Sequence, residues 1–186
     1  MEETARRLAQ GQVIGWYQGR GEWGPRALGN RSILADPRRK EMKAIVNQKI
    51  KFREPFRPFA PSILDRSVHQ FVDCPADKPL WLAKFMLAVS PIHAACRDRI
   101  PAVTHVDGTG RLQMVQEASN PRYYRLIEAF EREAGVPVVL NTSFNLKGEP
   151  IVNSPDDALS TFLRSDMDTL VMGSHMVTKS LSGRVR

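Results

Sequence analysis

Cysteine is almost absent from this chain. Cys74 and Cys96 are the only two, far apart and in no CxxC pattern, which argues against a disulfide framework or a structural zinc site. His93 and Cys96 form an HxxC pair, but two ligands do not make a site. A helix-face histidine beside a buried thiol is the plainer reading, and no metal site is expected in this chain. Long apolar runs are also missing. Stretches such as 136-VPVVL-140 are strand-sized and far short of a membrane span. The N-terminus, 1-MEETARRLAQ-10, lacks the apolar middle of a signal peptide, so a soluble, cytoplasmic protein is expected. There is no internal repeat, no GKS or GKT of a Walker loop, no HExxH, no Ser–His–Asp set and no carboxylate pair. Those absences remove most hydrolase readings. What remains is chemistry that positions anions and neutralises charge, as in phosphoryl, nucleotidyl or carbamoyl transfer.

What the chain does carry is positive charge. Its 186 residues have a net charge of +7, and 42% of them are hydrophobic, enough for the core of one domain. A basic balance favours anionic partners. No long Lys/Arg run occurs; 38-RRK-40 reads as a solvated helix start. The cations are spread through glycine- and proline-containing turns, which suits a small anion better than a duplex.

Pattern reading yields interleaved elements. Helices are expected at 2–10, 38–50, 121–135 and 155–165, with a short one opening at Pro25. Met42, Ile45, Val46 and Ile50 share one face of the second, and Ser154 is the expected N-cap of the last. Strands are expected at 12–18, 32–36, 84–90, 136–143 and 169–173. The three prolines within 52–61 imply an extended segment. Asp107-Gly108 implies a hairpin across 101–116. The tail, 180–186, reads as frayed. The fold class is α/β with a mixed, twisted sheet. An N-terminal helix at 1–11, one domain over 12–178 and a flexible tail at 179–186 make up the expected organisation.

Four stretches carry chemistry. In 51-KFREPFRP-58, a strand would put Lys51, Arg53 and Arg57 on one face, where they repel unless an anion sits between them. Phe52 and Phe56 would then face the core. An edge strand with solvated charges is the competing reading. In 141-NTSFNLKGEP-150, Asn141, Ser143 and Asn145 follow a buried strand, where α/β sheets gather ligands; an ordinary Asx or ST turn uses the same residues. In 19-GRGEWGPRALGNRS-32, glycines admit close backbone approach, Arg26 and Arg31 supply charge, and Trp23 could pack on a ring. The same loop could instead grip a neighbouring domain. Arg111, after the turn in 105-HVDGTGRLQ-113, gains weight only if that strand end borders the other sites.

The runs 15-GWYQGRGEWGPRALGNRSILADPR-38, 51-KFREPFRPFAPSIL-64, 137-PVVLNTSFNLKGEPIV-152 and 155-PDDALSTFLRSDMDTLVMG-173 resemble the C-terminal domain of the O-carbamoyltransferases, the family of the nodulation-factor, cephamycin and tobramycin enzymes. The resemblance covers about residues 12–178. It implies a YrdC-like twisted mixed sheet flanked by helices, which binds carbamoyl phosphate and ATP, with Mg²⁺ on the ATP, and forms carbamoyl-adenylate. It also implies a Kae1-like N-terminal domain, carrying an iron, that moves the carbamoyl group to a hydroxyl acceptor. That domain lies outside this sequence, as the other half of a longer chain or as a separate polypeptide, and full activity is expected to need it. On this resemblance Lys51, Arg53 and Arg57 bind the small carbonyl substrate and nucleotide phosphates, and Arg111 joins the same pocket. Ser143 and Asn145 match a Ser-x-Asn element near the nucleotide, with Asn141 in the same loop. GPRALG, with Arg26, either lines the pocket or faces the N-terminal domain. A YrdC-like RNA- or nucleotide-binding module without catalysis is the alternative, although nucleic acid and membrane are not the expected partners.

Overall fold

In the computed structural model, residues 1–74 and 80–179 are described. The chain opens with helix α1 (Glu2–Ala9), whose Ala5 and Leu8 are fully buried. Strands β1 (Ile14–Tyr17) and β2 (Arg31–Ala35) follow, then helix α2 (Met42–Val46), which runs on as a π-turn over Asn47–Lys51. Strand β3 (Ala60–Leu64), helix α3 (Val68–Phe71), strand β4 (Val89–Pro91) and helix α4 (Ala94–Arg97) come next. Short strands β5 (Thr109–Arg111) and β6 (Gln113–Val115) precede helix α5 (Pro121–Ala134) and strand β7 (Val138–Ser143). Helix α6 (Pro155–Leu163) and the hairpin β8 (Thr169–Met172) and β9 (His175–Thr178) complete the order. Among the described residues no helix is long and apolar enough to cross a membrane.

Seven strands form one mixed sheet in the order β6-β3-β7-β2-β1-β8-β9, while β4 and β5 pair separately. The pairs β1–β8 and β3–β6 are parallel and the others antiparallel. Helices α1 and α5 lie against each other, with α5 packed on β3 and β7 and α6 on β1 and β8. Two helices obey their local signals closely. The side chain of Asn120 caps α5 at the Tyr123 amide (3.1 Å), and Gly135 ends it with φ of +74°. Ser154 and Asp157 close a capping box on α6.

Four expectations fail. No helix follows Pro25, because the loop from Gln18 to Asn30 spends its backbone groups on side chains, as described below. Residues 52–57 are not a strand. The π-turn ends in a left-handed Phe52 (φ 45°), and Asn47 clamps the next residue by donating to Arg53 O (2.6 Å) and accepting from Arg53 N (3.2 Å). Phe52 and Phe56 accordingly stand exposed, at 58% and 74%, rather than in the core. The 101–116 hairpin does not form. The Asp107-Gly108 turn exists, with Gly108 N donating to His105 O (2.9 Å), but β5 pairs with β4 and β6 with β3. Finally, residues 80–85 form a 3-10 turn, and of the expected 84–90 strand only Val89 and Ser90 are extended, in a strand that runs on to Pro91. The hairpin strand β9 is an addition; Gly173-Ser174 before alternating 175-HMVT-178 was its available signal. The frayed tail expected at 180–186 lies outside the described residues.

Candidate functional site

The site forms where the carboxyl end of β7 meets the loop before β2. A small pocket, partly open to solvent, lies between Pro25–Ala27, Arg53, Pro58–Ala60, Met86, Arg111 and Asn141–Ser143. Three guanidinium groups reach it, from Arg26, Arg53 and Arg111, and among the described residues no carboxylate lines it. Burial comes first in pushing Arg53 down from its usual range, followed by the charges of Arg57 and Arg111; Glu54 opposes them. Burial and then Arg26 push Arg111 down as well. Guanidinium stays protonated at neutral pH, so these pressures express an unneutralised positive field. The Nε atoms of Arg53 and Arg111 are buried without a hydrogen-bond partner, although Arg53 also stacks over the Phe59 ring at 4.5 Å and donates to Pro58 O. A cluster of half-buried cations with donors to spare is an anion site.

The loop carrying Arg26 is held from beneath. Glu22 accepts from the amides of Leu28 (2.7 Å), Asn30 (3.0 Å) and Arg31 (3.0 Å). Burial pushes its carboxyl up, and those three amides hold it down. Asn141 Nδ2 donates to Ala27 O (3.1 Å), Gln113 Nε2 to Leu28 O (2.7 Å), and Trp16 Nε1 to Gly29 O (2.8 Å). Gly29 has φ of +105°, and a Cβ there would run into the Tyr123 ring. The loop is thus fixed from both sides, with Arg26 projecting into the pocket. Glu22→Ala leaves three amides without their acceptor. It is expected to cost about 2 kcal/mol of stability, read by urea unfolding, and to weaken anion binding in parallel.

The structure separates the expected site residues into three groups. Arg26, Arg53, Arg111, Asn141 and Ser143 share the pocket. Lys51 is 6% exposed and turns beneath the Ser-x-Asn loop. Its Nζ donates to Ser143 O (2.5 Å), Asn145 Oδ1 (2.7 Å) and Asn145 O (3.0 Å), with Ser143 Oγ at 3.4 Å. Ser143 Oγ in turn donates to Asn145 Oδ1 (2.9 Å). Burial, and then Arg53, push Lys51 down to about 7. The remaining two point elsewhere. Arg57 pairs with Glu54 (2.9 Å) on the surface. Arg31, 3% exposed, donates to the carbonyls of Gln18 (2.5 Å), Gly19 and Asn30 and stacks over Tyr17 at 3.6 Å. It braces the loop instead of facing the pocket. Trp23 is fully exposed. Pattern reading passed over Glu22 and Gln113. A lone glutamine inside 112-LQMV-115 was the usable signal, since a polar side chain in a buried strand needs partners.

Residues 5–179 match the family described as Carbamoyltransferase C-terminus. The chain is 50% identical over 176 residues to Nodulation protein NolNO of Sinorhizobium fredii, covering 95% of this chain and 26% of that protein. It is 37% identical over 176 residues to a 3'-hydroxymethylcephem-O-carbamoyltransferase of Amycolatopsis lactamdurans, covering 92% of this chain and 32% of the enzyme. The chain therefore spans about a quarter to a third of the length of these relatives. Among solved structures, full-length HypF in its phosphate- and nucleotide-bound form superposes with a TM-score of 0.56 at 13% identity, covering 91% of this chain and 26% of HypF. HypF of T. kodakarensis gives 0.54 at 17%, covering 85% and 19%. These likenesses concern the fold, and they agree with the YrdC-like mixed sheet implied by the sequence. With a family match over residues 5–179 and relatives at this identity, the chain belongs to the carbamoyltransferase C-terminal domain family.

Proposed function

We propose that this domain binds carbamoyl phosphate and ATP and makes carbamoyl-adenylate. One observation carries the reading: Arg26, Arg53 and Arg111 converge without a carboxylate at the end of β7, and two of them have buried Nε donors without a partner. Carbamoyl phosphate offers anionic oxygens to those donors. Water displaces its phosphate, giving carbamate and inorganic phosphate, and the carbamate oxygen then attacks the α-phosphorus of ATP as the bond to pyrophosphate breaks. The arginines neutralise charge in both steps, so no side-chain nucleophile is required. The Ser143–Asn145 loop, tied down by Lys51, offers neutral donors and acceptors to the nucleotide. Among the described residues no cluster of three or more His, Cys, Asp or Glu is placed for a metal. Mg²⁺ would enter with the ATP, ligated chiefly by its phosphates. Transfer to a hydroxyl acceptor would take place on a Kae1-like domain with its iron, supplied by the additional length that the relatives possess.

The expected result is that this chain, incubated with ATP, Mg²⁺ and carbamoyl phosphate, yields a species with the mass of carbamoyl-adenylate and stoichiometric pyrophosphate. Both substrates returned intact would overturn the reading. A second reading has its own observation: Phe52 and Phe56 are exposed beside Arg57, where they could stack bases. A non-catalytic RNA-binding module would give a salt-dependent gel shift and no adenylate.

A further inference from the structure

We propose that Asn141 selects the carbamoyl group, its Oδ1 accepting a hydrogen bond from the substrate NH₂. The inference rests on the carbamoyl-phosphate reading of the pocket and adds the feature that would tell this acyl phosphate from its neighbours.

Asn141 is 1% exposed, lines the arginine pocket, and has an Oδ1 without a hydrogen-bond partner. The orientation of its amide follows from two acceptor-only carbonyls. Leu28 O can only accept, so the group that meets it at 2.7 Å is the Gln113 NH₂. That turns Gln113 Oε1 toward Ser62 Oγ (2.5 Å) and Asn141 (2.8 Å). Ala27 O, also acceptor-only, takes a second hydrogen bond from Asn141. Both contacts demand that Nδ2 face Ala27 and Gln113, which leaves Oδ1 as the free end. A flipped amide would set oxygen against two oxygens.

The rest of the charged lining donates: three guanidinium groups, all suited to oxygen lone pairs. A buried acceptor left unpaired among such donors is costly unless a donor reaches it. A ligand presenting only lone pairs, such as a phosphate dianion, sets oxygen against Oδ1. A ligand presenting a methyl group leaves Oδ1 dry and unpaired. A ligand that is anionic at one end and carries an N–H at the other satisfies the arginines and Asn141 together. Carbamoyl phosphate has this form, and acetyl phosphate is its near-isostere with CH₃ in place of NH₂.

The test is calorimetric titration of the chain with carbamoyl phosphate and, separately, acetyl phosphate. Wild type is expected to prefer carbamoyl phosphate by roughly ten- to a hundredfold. Asn141→Ala is expected to bring the ratio to within about threefold. Should that variant fold poorly, Asn141→Ser, which also removes Oδ1, is read in its place. Equal affinities in the wild type overturn the role of Asn141 while leaving the anion pocket standing. Binding of neither compound overturns the carbamoyl-phosphate reading, and the selection proposal with it. A wild-type preference that survives intact in folded Asn141→Ala places the selection on another group and overturns the proposal.

Discussion

Arg111→Ala and Arg53→Ala are each expected to lower carbamoyl-phosphate-dependent pyrophosphate release by about 10²–10³-fold, whereas Arg57→Ala loses less than about tenfold. The contrast follows from placement. Arg53 and Arg111 are half-buried, carry unpartnered Nε donors, and face one pocket with Arg26. Their charge acts where solvent screening is weak, so each lost contact is expensive in the transition state. Arg57 is more than half exposed and already paired with Glu54, where a cation contributes little. It reaches the site only as a field that helps to push Arg53 down. A coupled pyrophosphate assay under saturating ATP reads all three variants. Equal losses in Arg57→Ala and Arg111→Ala would restore the spacing-based grouping of Lys51, Arg53 and Arg57 and dissolve the arginine trio derived from the pocket.

That grouping shows how far pattern alone reaches. The elements ruled by local chemistry, α5 between Pro121 and Gly135 and α6 behind its N-cap Ser154, were legible from their end signals; the Asn120 cap and the Asp157 half of the capping box came only with the structure. The convergence of the basic segment with the polar loop after β7 was legible too: Lys51 Nζ lies 2.5 Å from Ser143 O. What spacing could not show was how each cation would be used. Period-2 reasoning needs a strand, and the left-handed Phe52 with its Asn47 clamp sends Lys51, Arg53 and Arg57 in three directions. Arg26 and Arg31 look alike in 24-GPRALGNRS-32, yet one faces the pocket and the other closes the loop against the Gln18 and Gly19 carbonyls. Arg111 enters the site because β5 pairs with Val89–Pro91, a partner some twenty residues upstream that no turn signal names. Non-local pairing and loop self-satisfaction are tertiary facts, and both override propensity.

Lys51→Met is expected to change the pH dependence of stability and of activity in opposite senses. An unfolded lysine titrates near 10.5, whereas burial and Arg53 hold Lys51 in the folded domain at about 7. Between those values the unfolded chain binds a proton that the folded one does not, so wild-type stability rises with pH, by up to about 1.4 kcal/mol per unit. Below about 7 both states are protonated and the cost of the buried charge is fully present. The useful window is pH 7–9, since Cys74 and Tyr123, both pushed up by burial, add opposing slopes above it. Urea unfolding of both proteins should show wild type gaining about 2 kcal/mol or more on Lys51→Met from pH 7 to 9. A constant difference would mean that Lys51 titrates normally and is not the strained group described. Activity runs the other way. The ammonium has three N–H donors, and three oxygens of the Ser143–Asn145 loop stand within 3.0 Å of it. The neutral amine has one donor fewer and releases part of that grip. Adenylate formation is therefore expected to decline as wild type passes pH 7, and Lys51→Met to be about a hundredfold slower with that limb of the profile gone. The domain keeps a proton that costs it stability because the same proton orders the loop that would hold the nucleotide.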